Sequence, residues 1–276
     1  MFFEAKKTIQ SFFIPRSQKE KFRLRIALNK LLKKYKNSSR YHEQRIQFAT
    51  CDLVVPDALS VVYQLREIFI DENLKFESAS MQPVIYDCGA NVGTVTLYFK
   101  KLFPESTIKA FEADKKIINY LEQNLSRNRC LNNVQIIPKA VWINEGMVDF
   151  GSEGADSGSL FFTTNRSKIE STRLRDWLAN EARVDFLKLD IEGAESAVIQ
   201  DCDETLSRVK YLFIEYHSFP NTAQELDKIL HTLTKNNFRY AVNTVYSPGN
   251  TFNTKISQYR SMDLILNIYA TNTQFN

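Results

Sequence analysis

The segment Asp87-Cys88-Gly89-Ala90-Asn91-Val92-Gly93 constrains the fold of this chain more than any other. It follows a short apolar run, Val84-Ile85-Tyr86. It leads straight into a helical pattern marked by Val92, Val95, Phe99 and Phe103, which Pro104 stops. Glycines in a strand-to-helix turn let the backbone bend tightly and approach a ligand closely. A dinucleotide fingerprint would read G-x-G-x-x-G, because a pyrophosphate must sit on the helix N-terminus. Here Asn91 stands where the second glycine would be, and Asp87 precedes Gly89 by two residues. Such a turn suits a ligand with a cationic amino-acid end and no phosphate. In this reading Asp87 holds an ammonium group, directly or through water, and Gly89 makes room for it.

From Pro83 onward the periodicity alternates between strand and helix. Strands are expected at Val84–Tyr86, Thr107–Phe111, Val134–Val141, Val184–Leu189 and Tyr211–Ile214. Helices are expected after Val92, around Ile118, Leu121 and Leu125, over Ser171–Asn180, from about Glu192, and over Thr222–Lys235. Residues 146–165, rich in Gly, Ser and Asp, read as a small hairpin or loop excursion. Two last strands, Phe238–Val245 and Met262–Tyr269, flank a polar loop at Pro248-Gly249 and read as an antiparallel hairpin. Repeated β-α-β units imply an α/β fold with a mainly parallel, doubly wound sheet. Ligands then bind outside the carboxyl ends of the strands, near the switch point.

The loops at those strand ends carry the acidic residues. The second strand ends Phe111-Glu112-Ala113-Asp114, with Glu112 placed to accept the ribose hydroxyls of a nucleoside. A bland role for this tip is capping of the next helix. The fourth strand ends Lys188-Leu189-Asp190-Ile191-Glu192-Gly193-Ala194-Glu195. Two roles are open for its carboxylates: general base for a substrate hydroxyl, or ligands for a hard cation such as Mg2+. Glu192 and Glu195 also suit a plain helix N-terminus. The fifth strand ends Ile214-Glu215-Tyr216-His217. Alternation puts Glu215 and His217 on one face, and a histidine there can accept a proton near neutral pH.

The blocks Val84–Gly93, Phe111–Asp114 and Phe186–Glu195, together with Arg66-Glu67-Ile68-Phe69 ahead of the first strand, resemble the FkbM family of methyltransferases over about residues 57–218. The resemblance implies a class I, Rossmann-like methyltransferase fold with a seven-stranded sheet and S-adenosylmethionine as cofactor. It implies O-methylation of hydroxyls on sugars, glycolipids or polyketide-type products, with a small-molecule or glycan acceptor. By position it assigns Asp87, Gly89, Asn91, Gly93 and Glu112 to the cofactor and Lys139-Ala140 to the flanks of its adenine. Asp190, Glu192 and His217 would face the substrate as catalytic residues, with Glu195 and Glu215 as further substrate or metal ligands. Ala113 departs from the family's usual proline.

Charge divides the chain unevenly. Residues 1–50 carry 13 Lys+Arg against 3 Glu, and the other 226 residues carry 23 against 29 acids. Residues 1–56 therefore read as a basic helical arm ahead of a 57–276 methyltransferase domain. Its helix spans about Ser17–Tyr35, with Leu24, Leu28, Leu31, Leu32 and Tyr35 on one stripe. Residues 57–71 read as a second helix. The arm would pack on its own domain or on a second subunit as a homodimer, or bring residues 1–40 to an anionic membrane at its inner face. A nucleic-acid methyltransferase is a weaker alternative, since no Asn/Asp-Pro-Pro-Tyr/Phe signature follows the fourth strand. A non-catalytic scaffold on the same fold is another. No apolar run reaches the roughly 18–20 residues of a membrane span, and the N-terminus lacks the order of a secretory signal, so a cytoplasmic location is expected. The four cysteines and three histidines are scattered, without C-x-x-C or H-E-x-x-H spacing.

Overall fold

Two apolar layers sandwich the central sheet, and strand alternation assigns each residue to one of them. Ile85, Phe186 and Phe213 point into one layer; Tyr86, Leu187 and Leu212 point into the other. The structure is a computed structural model that describes residues 18–152, 158–159, 167–220, 222–247 and 262–275.

The chain opens with α1 (Gln18–Tyr35), a hairpin of β1 (Gln44–Phe48) and β2 (Cys51–Val55), and α2 (Ala58–Leu65), which runs on as a π-helical turn over Arg66–Ile70. Then follow β3 (Val84–Cys88), α3 (Thr94–Leu102), β4 (Thr107–Phe111), α4 (Lys115–Arg127) and β5 (Val134–Ile137). An excursion carries β6 (Ala140–Trp142), β7 (Gly146–Ser152), β8 (Gly158–Ser159) and β9 (Ser167–Arg173), which form a separate small sheet in the order β6-β9-β7-β8. The chain returns through α5 (Leu174–Ala179) to β10 (Val184–Leu189), α6 (Glu195–Asp201), β11 (Val209–Ser218), α7 (Leu226–Lys235), β12 (Phe238–Tyr246) and β13 (Leu264–Asn272). The main sheet has seven strands in the order β12-β13-β11-β10-β3-β4-β5. All its neighbours pair in parallel except β13, which runs antiparallel to β11 and β12. The order reverses between β3 and β10, so the cleft at their carboxyl ends is the expected site.

Several boundaries differ from the sequence expectation. The third strand stops at Ile137, because Pro138 cannot donate to a ladder; Ala140–Trp142 joins the small sheet instead. Ser171–Arg173 pairs as a strand, leaving only six residues for α5. The helix expected from Glu192 starts at Glu195, because Glu192 (φ 57°) and Gly193 (φ 107°) are left-handed. The helix expected from Thr222 starts at Leu226. The loop at Pro248-Gly249 and the tips of the 146–165 excursion lie outside the described residues, as does 1–17 of the basic arm.

Among the described residues, the N-terminal region packs against the central sheet. Leu24, Leu28 and Tyr35 of α1, and Ile46, Phe48, Leu53 and Val55 of the hairpin, share one buried cluster with Ile85, Leu97 and Ile108. The apolar stripe of α1 is thus covered by the chain's own domain. The hairpin's outer edge is closed by side chains of α4. Asn124 accepts from the Val54 N–H at 2.7 Å and donates to the carbonyls of Val54 at 3.0 Å and Val92 at 2.9 Å. One turn on, Asn128 pairs with both backbone groups of Asp52. Two amides four apart on a helix thus match two residues on one strand edge, which removes an unpaired edge. Asn124→Ala strands three buried backbone groups at about 1–3 kcal/mol each. Urea denaturation is expected to show a loss of roughly 3 kcal/mol or more; a loss below about 1 kcal/mol would mean that water takes over the amide's bonds.

Candidate active site

The carboxyl ends of β3, β10 and β11 open on a cavity of about 520 Å³. Its walls include Gly89, Ala90 and Asn91 after β3, Lys188, Asp190 and Glu192 around the tip of β10, and Glu215 and His217 at the end of β11. Gln64, Glu67 and Ile68 close it from α2 and the π-helical turn. Such one-turn π segments recur at functional sites because they redirect side chains out of helical register.

The loop after β3 is built around contacts with β10. Gly89 (φ 81°) passes so close that a Cβ would overlap the carbonyl oxygen of Asp190. Gly93 (φ 89°) caps α3, and a Cβ there would meet Leu121 Cδ1 at 2.7 Å. Its role is to seat α3 against α4; it does not line the cavity. Asn91 does, in a left-handed conformation with its Oδ1 accepting from the Val92 N–H.

Asp87 lies beneath the cleft floor rather than in its wall. Its carboxylate is fully buried, accepts from Thr96 Oγ1 at 2.7 Å and lies 3.5 Å from Lys188 Nζ. Burial pushes its pKa up, against the pull of Lys188 and Thr96. Lys188 brings it an ammonium from within the chain. Lys188 also donates to the carbonyl of Gly89 at 2.8 Å and pairs with Asp190 at 3.1 Å. Sequence reasoning missed Lys188. Its signal was a lysine inside the otherwise apolar run Phe186–Leu189, on a strand buried from end to end.

Glu112 accepts from three backbone N–H groups: Asn91 at 2.9 Å, Ala113 at 2.8 Å and Asp114 at 2.9 Å. It thereby ties the β4 tip to the β3 loop. A carboxylate has about four acceptor sites, so one is left for a ligand hydroxyl. Burial still pushes its pKa up. Lys139 sits at the break between β5 and β6, 3.3 Å from Glu170 and 3.6 Å from Glu145. Ala140 is buried in the small sheet. Neither borders the cavity.

The acidic block at the end of β10 divides by burial. Glu195 is wholly buried and accepts from the N–H groups of Ile191 and Gly193, 3.1 and 3.0 Å away. Its Oε1 lies 3.0 Å from His217 Nδ1. It positions the imidazole and is closed to substrate. The other ring nitrogen, Nε2, faces Glu215 at 3.5 Å and Glu192 at 3.6 Å. Burial pulls the imidazole's pKa down, but Glu195 and Glu192 overrule it and hold His217 well above the usual range. Burial pushes Glu215 up and Glu192 to about 8, Glu192 further raised by its acidic neighbours and lowered by His217. The ligand atoms of Asp190, Glu192 and His217 lie within 4.8 Å of one another, close enough to hold one cation.

The N-terminal layer also enters the site, which the sequence did not reveal. Arg40 and Tyr41, on the loop after α1, line the cavity. Arg40 is clamped to the buried Asp57 at 2.6 Å and to Ser60 at 2.9 Å, and its guanidinium lies 5.2 Å from the Tyr41 ring centre. Tyr41 also borders a second cavity of about 330 Å³ beside Asp114, Lys116 and Ile117.

The protein 2-O-methyltransferase NoeI of Sinorhizobium fredii is 27% identical over 156 residues, covering 49% of this chain and 63% of that protein's length. Methyltransferase sdnD of Sordaria araneosa is 27% identical over 177 residues, covering 50% of this chain and 68% of its own. Among solved structures, M. jannaschii TYW2 in complex with AdoMet aligns over 85% of this chain and 89% of that one, at 13% identity and a TM-score of 0.46. The profile of the methyltransferase FkbM domain matches residues 87–240, from the buried aspartate of β3 to the start of β12. This chain belongs to the FkbM methyltransferase family.

Proposed function

We propose that the protein is an S-adenosylmethionine-dependent O-methyltransferase acting on a hydroxyl of a sugar, glycan or related secondary metabolite. The observation that carries this reading is the pair Glu192 and His217 in the wall of the same cavity as the β3 loop, with Glu195 behind the imidazole. Family membership supports methyl transfer, and the name of the NoeI relative supports oxygen as the acceptor atom. The residues fit the cofactor. The left-handed turn at Gly89–Asn91 offers backbone to one half of it, and the spare acceptor site on Glu112 suits a ribose hydroxyl. Bound S-adenosylmethionine supplies a methyl group activated on a sulfonium.

An alcohol is a weak nucleophile, so the chain must take its proton and hold its oxygen in line. Glu195 and Glu192 favour the charged form of His217, so in this reading it is not the acceptor. Glu192 takes the proton at its carboxylate. Glu195 fixes the ring at Nδ1, and Asp190, paired with Lys188, orients the acceptor. A divalent cation on Asp190, Glu192 and His217 is a second reading, favoured by their mutual distance. It would polarise the hydroxyl as a Lewis acid.

Calorimetry with S-adenosylmethionine, then transfer of a labelled methyl group to a panel of glycans with product mass analysis, tests the proposal. Saturable binding and a product heavier by one methylene unit are expected, with activity unchanged after dialysis against EDTA. Absence of cofactor binding would favour the scaffold reading. Loss of activity on EDTA treatment, restored by Mg2+, would favour the metal.

A further inference from the structure

The strongest feature outside the cleft is the outward face of α1. With one residue every 100° or so, Lys19, Phe22, Arg23, Ile26, Lys30 and Lys33 fall within an arc of about 100°. All six are exposed, and Leu24, Leu28 and Tyr35 are buried on the opposite side. Phe22 is 65% exposed and Ile26 is 42% exposed, although both are apolar. They lie one turn apart on the cationic face, Ile26 near its middle and Phe22 at its edge. The helix's one acid, Glu20, lies off that face. The stripe that the sequence offered for interfacial binding is therefore used by the core, and a second, mixed face takes its place.

We infer that this outward face of α1 docks on an anionic phospholipid surface. Positive charge complements the headgroups, and each lysine or arginine held near such a surface adds about 1 kcal/mol. Phe22 and Ile26 are placed to enter the headgroup–acyl boundary, where an amphipathic helix lies in the plane of the interface. The charge complementarity favours an anionic partner, and the two apolar side chains favour a bilayer over a nucleic acid. A phosphate backbone draws on cations and hydrogen-bond donors and gains nothing from an isoleucine. The chain leaving α1 reaches the cleft wall within a few residues, at Arg40 and Tyr41. A lipid surface held by α1 thus adjoins the layer that lines the cavity. This inference stands independently of the methyltransferase reading.

Vesicle co-sedimentation of the full chain tests it. Vesicles of phosphatidylglycerol and phosphatidylcholine in equal parts are compared with phosphatidylcholine alone. Wild type is expected to partition roughly tenfold or more in favour of the anionic vesicles, with binding that weakens as salt rises. The variant K30E/K33E should lose that preference. The variant F22S/I26S should bind several-fold more weakly at every salt concentration. All four substituted positions are exposed, so both variants should melt with wild type, which separates lost docking from lost folding. Equal partition to both vesicle types, or unchanged binding by K30E/K33E, would overturn the inference. An RNA oligonucleotide that displaces wild type from vesicles, and binds F22S/I26S equally well, would assign the face to nucleic acid and overturn it too.

Discussion

Lys188→Met is expected to destabilise the fold by roughly 3–5 kcal/mol and to remove cofactor binding with it. The ammonium is buried in the central strand beside Asp190, 3.1 Å away, and Asp87, 3.5 Å away. Burial pulls its pKa down, yet the two carboxylates outweigh that and keep it charged. Methionine fills much the same volume, so the loss comes from electrostatics rather than packing. Asp87 would be left fully buried with Thr96 as its remaining hydrogen-bond donor. The carbonyl of Gly89 would lose a donor at 2.8 Å, which loosens the turn that lines the cleft. Chemical denaturation of Lys188→Met, Asp87→Asn and the double variant measures the coupling. The double variant is expected to be clearly more stable than the sum of the single losses predicts, because it leaves no unpaired charge. Simple additivity would mean that Lys188 and Asp87 do not act as a pair.

How far the sequence foretold this site depends on whether a feature is local. The β3 loop was legible because a glycine turn, a strand and a helix lie within twenty residues. The acidic tip of β10 was legible for the same reason. What could not be read was the direction of each carboxylate. Asp87, at the end of β3, and Glu195, at the start of α6, both turn inward because partners from other strands wait there: Lys188 for one and His217 for the other. Lys188 itself was read as part of a motif with no partner, since its partner is about a hundred residues earlier. The β1–β2 hairpin was hidden for a related reason. Its strands are five residues each, and its outer edge is satisfied by two asparagines on α4. Tyr41 and Arg40 carry no local signal of their place in the cleft wall, which depends on the packing of the whole N-terminal layer.

Glu192→Gln is expected to lower methyl transfer by about 10²–10⁴-fold while leaving S-adenosylmethionine affinity within error. In the proposed reaction the deprotonated carboxylate takes the hydroxyl proton, and an amide cannot. The same assignment fixes a pH dependence. Glu192 is pushed up to about 8, chiefly by burial, so the active form is the minor one at neutral pH. Wild-type turnover should climb roughly tenfold per pH unit below that value and level off above it, and the residual rate of Glu192→Gln should lack the climb. Stability runs the other way. A carboxyl whose folded pKa is raised binds its proton more tightly when folded, so its contribution is full in acid and lost as pH rises through the folded value. Glu192→Gln escapes that loss. Its melting temperature should therefore exceed that of wild type above about pH 8, and the gap should close in mildly acid buffer. A variant that keeps wild-type turnover, or whose residual rate still climbs toward pH 8, would move the proton acceptor to another member of the cluster. His217→Gln would then discriminate, since removing the imidazole also strips Glu195 of a partner at 3.0 Å and Glu192 of one at 3.6 Å. If Glu192 is the acceptor, losing that neighbour should shift the pH profile of His217→Gln further to alkaline, because the charge of His217 is the largest influence lowering the carboxyl's pKa.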